Sequence, residues 1–288
     1  MKNILLTGAN GFIGNYFKDK YGEKYSIKTF SFLNDNFKEL NLSNADTIVH
    51  LSALVHQMGG VSKEEYEKVN VTQTLELTKK AKESGVKHFI FMSTIAVYGI
   101  EIGVISEESD CNPITDYGKS KLKAELELQK LEDDDFKVSI IRAPIVNGYS
   151  APGNMRSLIS LVKKVSVLPF GGIENRRSMV YVGNLCYLID VLARFPVKLR
   201  MTGNVFLASD DKPLSTTKLI ELIAQNINKK VYLVRVPFFA SLLKLLKPSF
   251  HKRLYESLEV DNSKTKEILG LRNPYSIEDG IKFMIRGE

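Results

Sequence analysis

The chain has 288 residues, 44% of them apolar and 25% charged, with no tryptophan. That composition excludes a disordered or low-complexity chain and suits one or two globular domains of ~150 residues. A formal charge of +7 admits a nucleic acid, an anionic membrane surface or a phosphorylated small ligand, but the basic residues are scattered rather than massed in a stripe, so no nucleic-acid partner is expected.

At the N-terminus, "MKNILLTGANG" turns glycine-rich where a signal peptide would continue. The longest apolar runs, such as "VPFFASLL" from Val236, fall far short of the ~20 residues of a membrane span. A cytoplasmic protein without a membrane span is expected. "NILLTGANGFIG" reads as strand, turn and helix start. Apolar runs of strand length recur in "YSIKTFSF", "TIVHLSA", "KHFIFMST", "KVSIIRAP" and "NVFLAS", separated by helix-like stretches such as "SKEEYEKVNVTQTLELTKKAKESG" and "YGKSKLKAELELQKLE". Nearly continuous apolar strands alternating with helices predict the α/β class, a doubly wound parallel sheet covered on both faces.

From Tyr149 the alternation loosens into "SAPGN", "PFGG" and a tail of short helical patterns. The expected organisation is a dinucleotide-binding domain over 1–148, to which 178–211 returns, and a smaller C-terminal substrate-binding lobe over 149–177 and 212–288. Basic residues are densest in "ENRRS" (Arg176, Arg177) and in "SLLKLLKPSFHKRL", where Lys244, Lys247, Lys252 and Arg253 accompany leucines. The second stretch reads first as a core-packing helix with a solvated basic face, and only second as a membrane-surface helix. Cys111 and Cys186 lack metal-type spacing; both are expected as reduced packing residues, and no metal is expected.

Gly8, Gly11 and Gly14 in "TGANGFIG" stand where a first strand feeds a first helix, the position at which glycines let backbone approach a pyrophosphate held by the helix N-terminus. Such a site also expects an acid about 20 residues on, at the end of the second strand. "TFSFLND" offers Ser31 there, with Asp35 only further into the loop, and no arginine stands nearby, so NAD and NADP both stay open. Ser93 and Thr94 close the fourth apolar run, at a strand end where a doubly wound sheet holds ligands. In "TDYGKSK", Tyr117 and Lys121 are four apart and share a helical face. The lysine, together with an oxidised nicotinamide, is expected to lower the phenol's pKa and make Tyr117 a general base near neutral pH.

With "TGANGFIG", "HLSA" (His50 to Ala53), "STIAVYG", the Tyr117/Lys121 pair, "RRSMVYVGNL" and "SLEVDNSKTKEILG", the chain resembles an extended short-chain dehydrogenase/reductase of the NAD-dependent epimerase/dehydratase family over nearly its whole length. The resemblance implies a Rossmann fold and catalytic roles for three residues: Thr94 polarising the substrate oxygen, Tyr117 as acid/base, and Lys121 on the nicotinamide ribose. It implies cofactor contacts at Gly8, Asn10, Gly11, Phe12, Ile13, Gly14 and Ser31, at Leu51, Ser52, Ala53 and Asn70, and at Ser93 and Pro144. A UDP-sugar is the implied substrate, with Asn154, Arg177 and Arg253 on its phosphate side. One of the adjacent Arg176 and Arg177 is expected to be merely solvated. A homodimer is common in such proteins.

Ile95 and Ala96 occupy the places where dehydratases of that family carry an Asp-Glu pair, so loss of water is not expected and hydride transfer at C4 remains. Two outcomes fit: reduction of a UDP-linked 4-keto-6-deoxy-N-acetylhexosamine of the quinovosamine type for surface polysaccharide, or 4-epimerisation of UDP-glucose or UDP-N-acetylglucosamine. The missing strand-end acid and the short loop "LNDNFKELNLSNAD" favour an enzyme that exchanges its cofactor each turnover, hence the reductase. A cofactor-sensing regulator without activity is a distant third. Gly183, in place of the aspartate usual in "VYVDNL", puts one hinge contact in doubt.

Overall fold

The computed structural model describes residues 1–55, 60–194 and 204–287. The first half of the chain runs β1 (Asn3–Thr7), α1 (Phe12–Tyr21), β2 (Ser26–Phe30), β3 (Thr47–His50), α2 (Lys63–Tyr66), α3 (Gln73–Glu83), β4 (His88–Thr94), β5 (Gly103–Ile105), α4 (Asp116–Leu131), β6 (Lys137–Ala143) and β7 (Ile145–Asn147). The second half adds α5 (Asn154–Lys164), β8 (Val167–Leu168), β9 (Met179–Tyr181), α6 (Val182–Arg194), β10 (Val205–Leu207), α7 (Thr216–Asn226), β11 (Tyr232–Leu233), α8 (Phe239–Leu246), α9 (Pro248–Tyr255), β12 (Leu258–Val260), α10 (Ser263–Leu269) and α11 (Ile277–Arg286).

Six strands form one parallel sheet in the order β10-β6-β4-β3-β1-β2. All six apolar runs read from the sequence are in it. Alternate side chains feed two cores, as the pleat requires. Ile4, Leu6, Ile90 and Met92 pack with Phe17 of α1 and the buried face of α6, whereas Leu5, Phe89, Phe91 and Ile140 pack with Leu77 of α3 and Leu128 of α4. A third cluster joins Met155, Leu168, Ile220, Ile281 and Met284 from α5, β8, α7 and α11. From β1 the chain steps outward to β2 and then back across to β3, so the crevice beyond the carboxyl ends of β1 and β3 is the switch point where such sheets take ligands.

Two local features differ from the sequence expectation. The long helix expected after "VSKEEY" is broken by a π-helical stretch, Glu67–Thr72, between α2 and α3; insertions of this kind recur at functional sites. In addition, α8 and α9 bury no residue, so "SLLKLLKPSFHKRL" is not a core-packing helix. Gly183 is explained by crowding: a Cβ there would sit 2.5 Å from the Tyr181 ring and 2.8 Å from Tyr16 and Tyr275. Asn184, next in the chain, ties Asp210 (2.7 Å) and the Tyr275 backbone (3.0 and 3.1 Å) to this cluster. Among the described residues no helix is long and apolar enough to cross a membrane, and no cluster of His, Cys, Asp or Glu could hold a metal ion.

Candidate active site

The turn after β1 is shaped by what glycine lacks. Gly8 has φ +67°, and a Cβ at Gly14 would stand 2.2 Å from the Gly8 carbonyl oxygen, so α1 starts hard against the strand end. No side chain caps α1 and no acid lies in its first turn, which leaves its first N–H groups and dipole free for an anion. A cavity of about 590 Å³ opens there, lined by Gly8, Gly11, Phe12, Ile13 and Gly14 and, across the switch point, by Leu51, Ser52 and Ala53. This cradle fits the pyrophosphate of a dinucleotide. Asn10 is exposed at the tip of the same turn.

The floor of the crevice is held by a chain of polar contacts that sequence reasoning missed. Thr7 Oγ1 meets His50 Nδ1 at 2.8 Å, His50 Nε2 meets Thr74 Oγ1 at 3.0 Å, and Thr74 donates to the Asn70 carbonyl at 2.9 Å. The Ser52 N–H donates to Thr7 Oγ1 at 3.2 Å. Burial, and then the nearby Lys121, hold His50 down at about 3, so it is a neutral spacer. Asn70, in the π-helical stretch, spends its amide on Leu54 N–H (2.8 Å), Leu54 carbonyl (3.0 Å) and Ser120 Oγ (3.0 Å). It therefore fixes the loop after β3 against α4. Ser93 turns its hydroxyl onto buried Glu125, which also takes a bidentate contact from Arg142. That network braces β4, α4 and β6 beneath the cavity.

At the end of β2, the Asp35 carboxylate accepts from the Ser31 N–H at 2.8 Å. The loop folds back, so an acid does stand at the strand end where the sequence offers only a serine. The signal was present, four residues late.

Tyr117 sits in the first turn of α4, capped by Thr115, whose hydroxyl accepts from the Gly118 N–H at 3.1 Å. A Cβ on Gly118 would be 2.7 Å from the Ala96 carbonyl oxygen. Only glycine lets α4 approach the turn after β4 this closely, and that approach brings the phenol near enough to the Thr94 hydroxyl for the two to interact. The expected lowering of the Tyr117 pKa does not appear: burial pushes it up to about 12, opposed only in part by Thr94, and Lys121 does not contribute. The physical reason is that Lys121 is itself desolvated. It is 2% exposed, its Nζ lies 4.0 Å from the centre of the Phe91 ring, and burial brings it down to about 7. No protein group among the described residues hydrogen-bonds this Nζ, which leaves its donors for a ligand.

A second cavity of about 510 Å³ is lined by Thr94, Ala96, Pro144, Ile145, Arg177 and Arg253 among others; Ile145 also lines the first. The carboxylate lining it, Glu101, is ion-paired to Lys252, and Ile95 and Ala96 bring hydrocarbon where a dehydratase needs acids. Arg177 donates to the carbonyls of Lys252 in α9 (3.4 Å) and of Glu256 just after it (3.1 Å). Burial and then the Arg253 charge pull its pKa down, opposed in part by Glu256. Arg176 points outward to Glu259 at 2.8 Å. Asn154 opens α5, and its side chain lies outside the described residues.

Sequence comparison places these features among known proteins. The NAD dependent epimerase/dehydratase family profile matches residues 4–207. The chain is 36% identical to a UDP-glucose 4-epimerase of Vibrio cholerae, covering 98% of this chain and 94% of that protein. It is 28% identical to an N-acetyl-alpha-D-glucosaminyl-diphospho-ditrans,octacis-undecaprenol 4-epimerase of Escherichia coli O157:H7, covering 82% and 76%. A crystal structure of UDP-glucuronic acid 4-epimerase from Bacillus cereus in complex with NAD shares the fold at TM-score 0.77 and 20% identity, over 99% of this chain and 96% of that one.

Proposed function

The chain belongs to the NAD-dependent epimerase/dehydratase family, and we propose that it is a 4-epimerase of a UDP-linked hexose, with NAD as the cofactor. The observation that carries this reading is a cavity lined by Thr94, whose hydroxyl acts on Tyr117, together with Arg177 and Arg253, and whose one carboxylate among the described residues is already paired. The relatives named above support epimerisation over the net reduction expected from the sequence. The premise for cofactor exchange also weakens, because Asp35 supplies an acid at the end of β2.

NAD, when bound, accepts the C4 hydrogen with its electron pair, returns both, and brings positive charge beside the phenol. In this reading the first turn of α1 holds its pyrophosphate, Asp35 a ribose hydroxyl, and Lys121 Nζ the other ribose. Tyr117 takes the proton of the 4-hydroxyl and gives it back after the 4-keto sugar has turned over in the site. Thr94 hydrogen-bonds the same oxygen and the phenol, keeping the two aligned. Arg177 and Arg253 hold the diphosphate, bidentate contacts that leave the hexose free to rotate.

The test is to incubate the protein with UDP-glucose or UDP-N-acetylglucosamine and follow the anomeric protons. Appearance of the galacto epimer without net consumption of nicotinamide supports the reading. Consumption of reduced nicotinamide on a 4-keto sugar, with no epimer formed from either UDP-sugar, overturns it. One observation favours a second reading, a hexose whose diphosphate is carried by a polyprenol: the α9 wall of the cavity continues directly from α8, which buries none of its leucines.

A further inference from the structure

From Lys229 to Arg253 the chain carries seven lysines and arginines and no acid, a charge equal to the whole chain's surplus of +7. The same segment holds the most exposed apolar side chains of the second half. Leu242, Leu245 and Leu246 fall at helical spacing on one face of α8 and are 54%, 79% and 68% exposed; Phe238 just before it is 86% exposed. The adjoining side, Phe239, Ala240 and Leu243, is half-buried, and Phe239 lies 6.2 Å, centre to centre, from Phe170. So α8 is anchored on one side and turns its leucines outward. Arg235, Lys244 and Lys247 flank them, exposed and without an ion-pair partner among the described residues. An apolar face of this size, rimmed by uncompensated cations, is complementary to the headgroup region of an anionic bilayer.

We propose that α8 and its flanks seat the protein on an anionic membrane surface, leucines and Phe238 in the interface and lysines on the lipid phosphates. This goes beyond the catalytic reading and does not depend on it. Its consequence is positional: Ser249, Lys252 and Arg253 of α9 line the cavity proposed for the diphosphate, so docking holds that cavity beside the lipid headgroups, where a sugar diphosphate on a membrane carrier could enter.

Sedimentation with vesicles of phosphatidylglycerol and phosphatidylcholine in equal parts, against vesicles of phosphatidylcholine alone, tests it without reference to activity. Wild type is expected to partition onto the anionic vesicles and to leave them as salt rises. Lys244→Ala and Lys247→Ala should each weaken binding about fivefold. Leu245→Ser with Leu246→Ser should abolish it while the melting temperature is kept, since neither side chain is buried. Failure of wild type to bind anionic vesicles overturns the proposal, as does undiminished binding by both the lysine and the leucine variants. A wild-type dimer that the leucine variant dissociates, with no vesicle binding, would assign the face to a second copy instead and equally overturns it.

Discussion

Lys121→Met tests the electrostatics of the site through stability rather than catalysis. Burial brings the Lys121 ammonium from 10.5 to about 7. Between those values the unfolded chain holds a proton that the folded chain sheds, so stability rises with pH across that window. A displacement of one unit corresponds to ~1.4 kcal/mol, and the folded group is only half titrated at its lower limit, so we predict a gain of about 2 kcal/mol between pH 7 and pH 9. Methionine keeps the stem over the Phe91 ring and removes the titration. Urea unfolding followed by circular dichroism at the two pH values should therefore show the gain in wild type and lose it in the variant. Tyr117, held up at about 12, does not titrate in this range. A flat wild type, or an equal rise in Lys121→Met, would refute the claim that this lysine is strained by desolvation.

We predict that Tyr117→Phe keeps NAD affinity by calorimetry while turnover drops by ~10² to 10⁴; unchanged turnover would remove Tyr117 from the chemistry. Arg177→Ala and Arg253→Ala should each weaken UDP by about 2 kcal/mol and leave NAD unaffected, and equal UDP affinity in all three proteins would displace the diphosphate from this cavity. Gly118→Ala forces a Cβ against the Ala96 carbonyl oxygen and should lower turnover by about 10² without unfolding, read by epimer formation alongside a melting curve. Asp35→Ala should weaken NAD about tenfold and NADP much less; equal losses would mean that Asp35 only shapes its loop.

The sheet was legible because a parallel strand covered on both faces must be apolar throughout, as "HFIFMST" is, and the glycine turn because close backbone approach admits no other residue. Tyr117, Thr94 and Lys121 were legible as a spacing at a strand end and a helix start. What the sequence could not supply were quantities set by the surroundings of a side chain. The direction of the Tyr117 pKa depends on how much water the fold removes from the phenol and from Lys121, and both are desolvated together. Asp35 was discounted because loop distance in sequence says nothing of a fold-back onto Ser31. The leucines of α8 have helical periodicity, but periodicity marks a face without saying whether protein covers it. Ser93 and Asn70 were expected on the cofactor, yet both side chains are occupied with Glu125, Leu54 and Ser120.

These placements share one logic. Tyr117, Lys121 and His50 are each held towards their neutral forms by burial, while the cations Arg177 and Arg253 line the neighbouring cavity proposed for the substrate. In a desolvated interior a charge is costly unless its partner arrives with it. The chain alone thus keeps the proton on Tyr117; in the proposed reading an oxidised nicotinamide would supply the positive charge that favours its ionisation. In the proposed reading, a diphosphate drawn to the arginines would bring its hexose to a base made competent by the oxidised cofactor. For the 4-epimerase proposed above this ordering matters twice, because the same phenol must also return the proton it took, and it returns it to a sugar alkoxide, a far stronger base than a phenolate.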